Sequence, residues 1–328
     1  MKALVYTGPE TLDFSEAAEP APSSDDVLVE IAHVGICGSD MHAWAGHDER
    51  RPAPLILGHE AAGTIIAGPR KGRRVTVNPL VTCGACEDCR AGRENLCAAR
   101  QIISMPPREG AFAQRLAIPE RNVVEIPDGV PTEKAALAEP LACGWHAVRV
   151  AGRALNRPID EARCLVLGGG AIGLGAALVL ASKGAREIHV AETNPARRAI
   201  VAAAGDFCAF DPAGGGPSDV DLVIDGVGFE ATRAAACAAV RPGGVIAHIG
   251  LGSASGGLDI RRITLQEIAF IGTYTYTARD FVETLEHHYD PTLGCLDWPE
   301  IRPLSDGARA FADIKAGRAA APKIILKP

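Results

Sequence analysis

The sequence predicts an α/β protein built from two units, a β-rich unit and a doubly wound parallel sheet. Three observations carry that expectation. The chain has 328 residues, enough for about two domains. Up to about residue 140, short β-branched runs are repeatedly interrupted by Pro and Gly. From about Glu139 onward, apolar runs ending in glycine alternate with Ala-rich helical stretches, the pattern of strands and crossover helices.

In the first unit, residues 1–6 read as a strand that meets Gly8-Pro9, and residues 27–34, 61–67 and 74–77 are further strands. In the second unit, residues 164–167, 188–191, 222–224 and 245–249 are apolar enough to be buried on both faces, as parallel strands are. Residues 171–183, 195–204 and 230–240 read as the helices between them, and 269–274 as a closing strand. A helix at 278–288 and a strand at 323–326 remain. Both are assigned back to the first unit. The expected boundaries are therefore 1–138 with 278–328 for the β-rich unit, including a cysteine-rich lobe at 79–100, and 139–277 for the parallel-sheet unit.

Composition narrows the function classes. Hydrophobic residues make up 47% and charged residues 22%, with a formal charge of −7, so neither a nucleic-acid surface nor a basic membrane-binding stripe is expected. Residues 164–182 carry no charge over a length that could span a membrane, but Gly168, Gly169, Gly170, Gly173 and Gly175 break them into a strand, a turn and a helix. The N-terminal stretch lacks the features of a secretory signal, and a cytoplasmic protein with reduced thiols is expected.

Cys83, Cys86, Cys89 and Cys97 form a Cys-x2-Cys-x2-Cys-x7-Cys run. Four thiols this close suit one tetrahedral zinc better than two disulfides. With all four positions filled by thiolate, such a zinc holds a lobe together and does no chemistry. Cys143, Cys164, Cys208, Cys237 and Cys295 lack ligand spacing and read as packing residues. His146 reads as structural and His287-His288 as a helix end.

Gly168-Gly169-Gly170-Ala171-Ile172-Gly173 fits Gly-x-Gly-x-x-Gly between a strand and a helix, the context this weak pattern needs for binding a dinucleotide pyrophosphate. Glu192 ends the next strand, 24 residues after Gly168, where a carboxylate accepts from ribose hydroxyls and repels a 2′-phosphate. NAD is therefore expected over NADP, with Arg197 and Arg198 placed to soften the preference. Val227, Gly250 and Leu251 lie in glycine loops after later strands, and Thr273 and Tyr274 follow the last. All are candidates for the nicotinamide end.

In the first unit, Cys37 in Gly35-Ile36-Cys37-Gly38-Ser39-Asp40, His59 in Gly58-His59-Glu60, and a carboxylate together make the mixed three-ligand set of a catalytic zinc. These pieces, the cysteine run, Glu139-Pro140-Leu141-Ala142 and the glycine loop occur in the order and approximate spacing of the zinc-dependent medium-chain alcohol dehydrogenases. The chain is identified as resembling that family over nearly its whole length. Glu139-Pro140, standing where classical members have a third zinc cysteine, and Pro106-Pro107-Arg108-Glu109-Gly110 resemble the polyol group: sorbitol, galactitol-phosphate and threonine dehydrogenases. One departure is local. Residues 67–75 are compressed, with Gly72-Arg73-Arg74-Val75 for the usual Gly-Asp-Arg-Val.

The resemblance implies a GroES-like catalytic domain and a Rossmann domain. It implies Cys37 and His59 as ligands of a catalytic zinc, with Glu60 or Glu139 completing the set; the sequence leaves that choice open. Ser39 would pass the substrate proton towards His42, and Asp40 would orient His59. Trp44 is a candidate pocket residue. The expected activity is hydride transfer from a secondary alcohol, a polyol, sugar alcohol or its phosphate, to NAD. The cofactors would be NAD, a catalytic zinc and a structural zinc, the partner a small-molecule alcohol, and the assembly a homodimer or homotetramer. A threonine-type amino-alcohol dehydrogenase and a non-catalytic zinc- and NAD-binding protein are the alternatives. The intact Cys37, Ser39, His42, His59 set speaks against the latter.

Overall fold

The strand Asp26–Gly35 alternates Val27, Val29 and Ile31 towards one side, and all three are buried. A strand with one fully apolar face must be covered, and here it becomes the centre of a sheet. The computed structural model describes residues 1–328. Its first unit contains β1 (Lys2–Gly8), β2 (Thr11–Glu16), β3 (Asp26–Gly35), β4 (Leu55–Ile56), β5 (Glu60–Ala67), β6 (Arg74–Val77), β7 (Leu80–Val81), β8 (Gln101–Ile102), β9 (Arg115–Pro119) and β10 (Val123–Glu125). Its helices are α1 (Gly38–Trp44), α2 (Glu87–Arg90) and α3 (Thr132–Ala135). β3 pairs antiparallel with β5 and β9, and the larger sheet runs β10-β6-β5-β3 and continues through β18 (Ile324–Lys327) to β17 (Glu300–Pro303). Phe112 and Phe311 pack edge to face at 5.9 Å inside this unit, and Trp44 meets Phe311 at 5.6 Å. Trp44 is thus a core residue as well as a cavity-lining one.

The second unit comprises α4 (Ala138–Ala154), β11 (Arg163–Leu167), α5 (Ala171–Ser182), β12 (Glu187–Ala191), α6 (Pro195–Ala204), β13 (Cys208–Phe210), β14 (Val220–Asp225), α7 (Glu230–Ala239), β15 (Val240–His248), α8 (Ile260–Leu265) and β16 (Ala269–Gly272). All its pairings are parallel, in the order β13-β12-β11-β14-β15-β16. This is the doubly wound order, with the switch point beside β11. No helix is long and apolar enough to cross a membrane.

The remaining elements are α9 (Ala278–His288), β17 (Glu300–Pro303), α10 (Gly307–Lys315) and β18 (Ile324–Lys327). The expected return to the first unit at residue 278 comes too early. Phe281 and Leu285 of α9 are buried with Ala138, Ala142 and Cys143 of α4, and Asp280 accepts from His146 and Arg149 on that helix. The amphipathic face of α9 finds its apolar partner on α4, so the helix stays with the second unit. The crossing back occurs at β17 and β18, where Ile325 pairs with Gly35 and Leu326 with Val34 of β3. The expected strand at 269–274 ends earlier, at Gly272.

His288 ends α9 with both ring nitrogens buried and without a hydrogen-bond partner. Burial pulls its pKa down from 6.5 to about 4. The unfolded chain therefore binds one more proton than the native one between those values, and stability falls as pH drops from about 6.5 towards 4, by about 3 kcal/mol in all. His288→Gln is expected to flatten this part of the acid slope in urea denaturation measured from pH 7 to pH 4.5. A slope unchanged by the substitution would show that His288 is not its source.

Candidate active site

Cys37 precedes α1, and its backbone N–H donates to Asp40 Oδ2 at 3.0 Å. That bond fixes the first turn and turns the Cys37 thiol towards β5. Asp40 is completely buried, and its Oδ1 lies 3.3 Å from His59 Nδ1 and 3.6 Å from Arg51 Nη1. Burial pushes the Asp40 carboxyl up, but His59, Arg51 and the Cys37 N–H outweigh it and hold the pKa below the usual range. His59 shows the converse: burial pulls it down, yet Asp40 and Cys37 hold it well above its ordinary value. With Nδ1 turned to Asp40, Nε2 is left for a metal.

Glu60 opens β5 and is fully buried. Its Oε1 accepts from Lys323 Nζ at 2.6 Å, whereas Oε2 has no hydrogen-bond partner. Gly35 makes room for this carboxylate, since a Cβ there would stand 2.1 Å from Oε2. Ligand atoms of Cys37, His59 and Glu60 all lie within 4.8 Å of one another. An orphaned buried carboxylate oxygen beside a thiol and an imidazole nitrogen is a donor set that fits a zinc ion. Glu139, near the start of α4, falls outside this three-residue set but lines the same cavity. Burial pushes its carboxyl up to about 7, with Glu60 adding to the shift, and its Oε1 accepts from Cys143 Sγ at 3.7 Å.

The cavity encloses about 550 Å³ between α1 and the carboxyl edge of the parallel sheet. Ser39 and His42 line it from α1; Ile172, Val227, Gly250, Leu251, Thr273 and Tyr274 line it from the other unit. The cavity is thus lined by Cys37, His59 and Glu139 of the expected metal set, by Ser39 and His42, and by the expected nicotinamide-side loops, while Glu60 lies outside its lining. Asp225 shapes one of those loops by accepting from the N–H groups of Val227 and Gly228 at 3.0 and 2.9 Å.

At the glycine loop, Gly170 caps α5 and Gly168 takes φ +96°. A Cβ on Gly173 would stand 1.8 Å from the Gly168 carbonyl oxygen, so only glycine allows this turn to close on the helix. The N–H of Ala171 donates to the Pro322 carbonyl at 3.1 Å, tying the helix start to the segment with Lys323 that leads into β18. Glu192 is buried, accepting from Gly169 N at 2.9 Å and Asn194 N at 2.8 Å. Arg197 and Arg198 donate to the backbone carbonyls of Ala319 and Glu192 at 2.8 and 2.7 Å. These bonds tie the two guanidiniums to the chain around Glu192, and this cradle fits the ribose of a dinucleotide.

In the lobe, all four sulfurs of Cys83, Cys86, Cys89 and Cys97 lie within 4.8 Å of one another, and none is in a disulfide. The N–H groups of Ala85 and Cys86 draw the Cys83 thiol down to about 6, which favours the thiolate a metal needs. The lobe also reaches the cavity wall: Asn95 Nδ2 donates to the Tyr274 carbonyl at 2.8 Å.

Two functional side chains escaped the sequence reading. Lys323 offered one signal, a lysine entering an otherwise apolar strand. Arg51 offered none, because its carboxylate partners are set by the turn after α1.

Comparison with known proteins agrees with this geometry. Residues 23–128 match the alcohol dehydrogenase GroES-like domain, and residues 171–288 match the zinc-binding dehydrogenase domain. The chain is 34% identical to L-galactonate-5-dehydrogenase of Escherichia coli K12 over 86% of each protein. It is 32% identical to L-threonine 3-dehydrogenase of Sinorhizobium medicae, covering 95% of this chain and 94% of that protein. Among solved structures, it superimposes on an alcohol dehydrogenase from Thermus sp. ATN1 with a TM-score of 0.88 at 25% identity, covering 100% and 99% of the two chains. With both domain matches, this likeness and the two metal-ligand clusters in place, the chain belongs to the zinc-dependent medium-chain polyol dehydrogenase family.

Proposed function

We propose that the protein oxidises a secondary alcohol of a polyol or sugar alcohol to the ketone, passing the hydride to NAD and releasing one proton. The observation that carries this reading is that Cys37 and His59, which form a metal-ligand cluster with the buried Glu60 behind them, line the same cavity as the cofactor-side loops. Bound zinc supplies the Lewis acidity that lowers the alcohol pKa, and bound NAD the hydride acceptor. Cys37, His59 and Glu60 hold the zinc, and Glu139 stands beside them as the neighbouring carboxyl. Asp40 fixes the tautomer and direction of His59. Ser39 takes the substrate proton and His42, exposed at the mouth, delivers it to water. The cysteine lobe holds the second, structural zinc. Residues 139–298 form the cofactor unit, and the rest the catalytic unit. A cytoplasmic homo-oligomer completes the reading.

The 32% identity to a threonine dehydrogenase favours an amino alcohol as the second reading. NADH formation by the zinc-loaded protein over a panel of polyols, sugar acids, polyol phosphates, threonine and simple alcohols decides between them. Turnover of threonine above every polyol would select the second reading.

Glu192 sets the cofactor. Its carboxylate is held in place by two backbone N–H groups and would face a 2′-phosphate directly. NAD is expected to bind roughly a hundredfold more tightly than NADP, about 3 kcal/mol. Glu192→Ser should narrow the gap at least tenfold in paired fluorescence titrations. Equal affinities in the unsubstituted protein would assign the choice to Arg197 or Arg198.

A further inference from the structure

The cavity is more basic than the chain around it. The protein carries a formal charge of −7, yet only two carboxylates line the cavity, Asp48 and Glu139, against Arg50, Arg51 and Lys315. Lys315 is held by Glu10 and Arg51 by Asp40 and Asp48, which leaves Arg50, paired with Asp48, as the most exposed cation of the cavity wall.

The turn after α1 is built in three layers. Arg51 is buried; its Nη1 donates to the Ser39 carbonyl at 2.8 Å and stands 3.6 Å from Asp40 Oδ1. Its Nε lies 3.8 Å from Asp48 Oδ2 and has no hydrogen-bond partner. Asp48, its side chain 6% exposed, accepts twice from Arg50, at 2.8 Å from Nε and 2.9 Å from Nη2. The two-point grip fixes the plane of the Arg50 guanidinium, which is 63% exposed and keeps Nη1 free. Arg318 is likewise held at two points by Asp313, so the grip alone marks no site; what sets Arg50 apart is that its fixed guanidinium lines the cavity. Fixed there, it suits an anion, because its donor fork is aimed before the ligand arrives. The His42 and His47 rings, 5.4 Å apart, line the same mouth.

We infer that the substrate is a short polyol bearing an anionic group, a carboxylate, phosphate ester or sulfonate, which Arg50 binds while the carbinol carbon lies at the Cys37, His59, Glu60 end. Asp48 and Arg51 are positioning residues that hold Arg50. The inference rests on the dehydrogenase reading and narrows its substrate class. The size of the cavity agrees: about 550 Å³ shared with a nicotinamide leaves space for a short chain rather than a disaccharide.

The test compares neutral polyols with carbon-matched aldonates, polyol monophosphates and dihydroxyalkanesulfonates, following NADH with the zinc-loaded enzyme. One anionic class is expected to exceed its neutral counterpart in kcat/KM by at least about tenfold, and which class does so identifies the anion. Arg50→Gln should raise KM for that substrate about 10- to 100-fold, more than it lowers kcat, and collapse the anionic-over-neutral ratio. Arg50→Lys should recover part of the loss, and Asp48→Asn should reproduce a weaker form of it. Melting temperatures serve as the folding control. Neutral polyols turned over as well as their anionic counterparts would overturn this inference and leave the dehydrogenase reading standing. So would an Arg50→Gln protein whose KM moves for NAD and not for substrate. No NADH from any member of the panel would overturn both.

Discussion

His59→Ala is expected to lower kcat/KM for the alcohol by about 10³-fold or more, equivalent to about 4 kcal/mol of transition-state stabilisation. His59 supplies one of three donors gathered within 4.8 Å, and the remaining Cys37 and Glu60 cannot by themselves hold a zinc open to substrate. The fold should survive. Asp40 keeps the Cys37 N–H at 3.0 Å and Arg51 at 3.6 Å, so losing the imidazole leaves no unpaired buried charge. Elemental analysis should show zinc falling from two ions per chain to one, with the cysteine lobe still loaded and NAD affinity retained. Two zincs and unchanged turnover in the variant would end the assignment of His59.

Lys323→Met should produce the largest loss of stability among single changes near the site. Lys323 Nζ donates to Glu60 Oε1 at 2.6 Å and to the Ile36 carbonyl at 2.9 Å, all buried. Removing one partner of a buried ion pair leaves the other charge without compensation, at a cost of about 3–5 kcal/mol. For a chain of this size that is roughly a 4–7 °C fall in melting temperature. The zinc-free protein is the one to measure, since bound zinc would itself balance Glu60. Adding Glu60→Gln should recover about half of the loss or more. A single-variant penalty below about 1 kcal/mol would show that the pair of Lys323 and Glu60 is not a main support of this fold.

Local order was read well where chemistry is local. β6, α6 and α9 match their expected bounds to the residue. Arg74-Val-Thr-Val is a short β-branched run, Asn194 caps α6 just before Pro195, and Thr277 caps α9 with Asp280 completing the box. β13 was missed because Cys208–Phe210 is too short to show periodicity and earns its place only by pairing with β12. The position of α9 was misread for a related reason: its apolar face fits either unit, and only contact with α4 decides. At the site, the residue types and the cavity they share were legible. The proposal of Glu60 over Glu139 rests on contacts that no stretch of sequence displays: Lys323, 263 residues beyond Glu60, and the space above Gly35.

That separation has a consequence for how the protein is made. Cys37, His59 and Glu60 leave the ribosome long before β18, and the whole parallel-sheet unit is synthesised in between. Until β18 pairs with β3, the Glu60 carboxylate has no ammonium partner and the central sheet stays open beside it. The buried ion pair of the catalytic unit is therefore completed only by residues synthesised after the cofactor unit. The segment leading into β18 also accepts, through the Pro322 carbonyl, from the first N–H of the cofactor helix. A chain ending before Pro322 would thus lack both the buried partner of Glu60 and this tie to the cofactor helix.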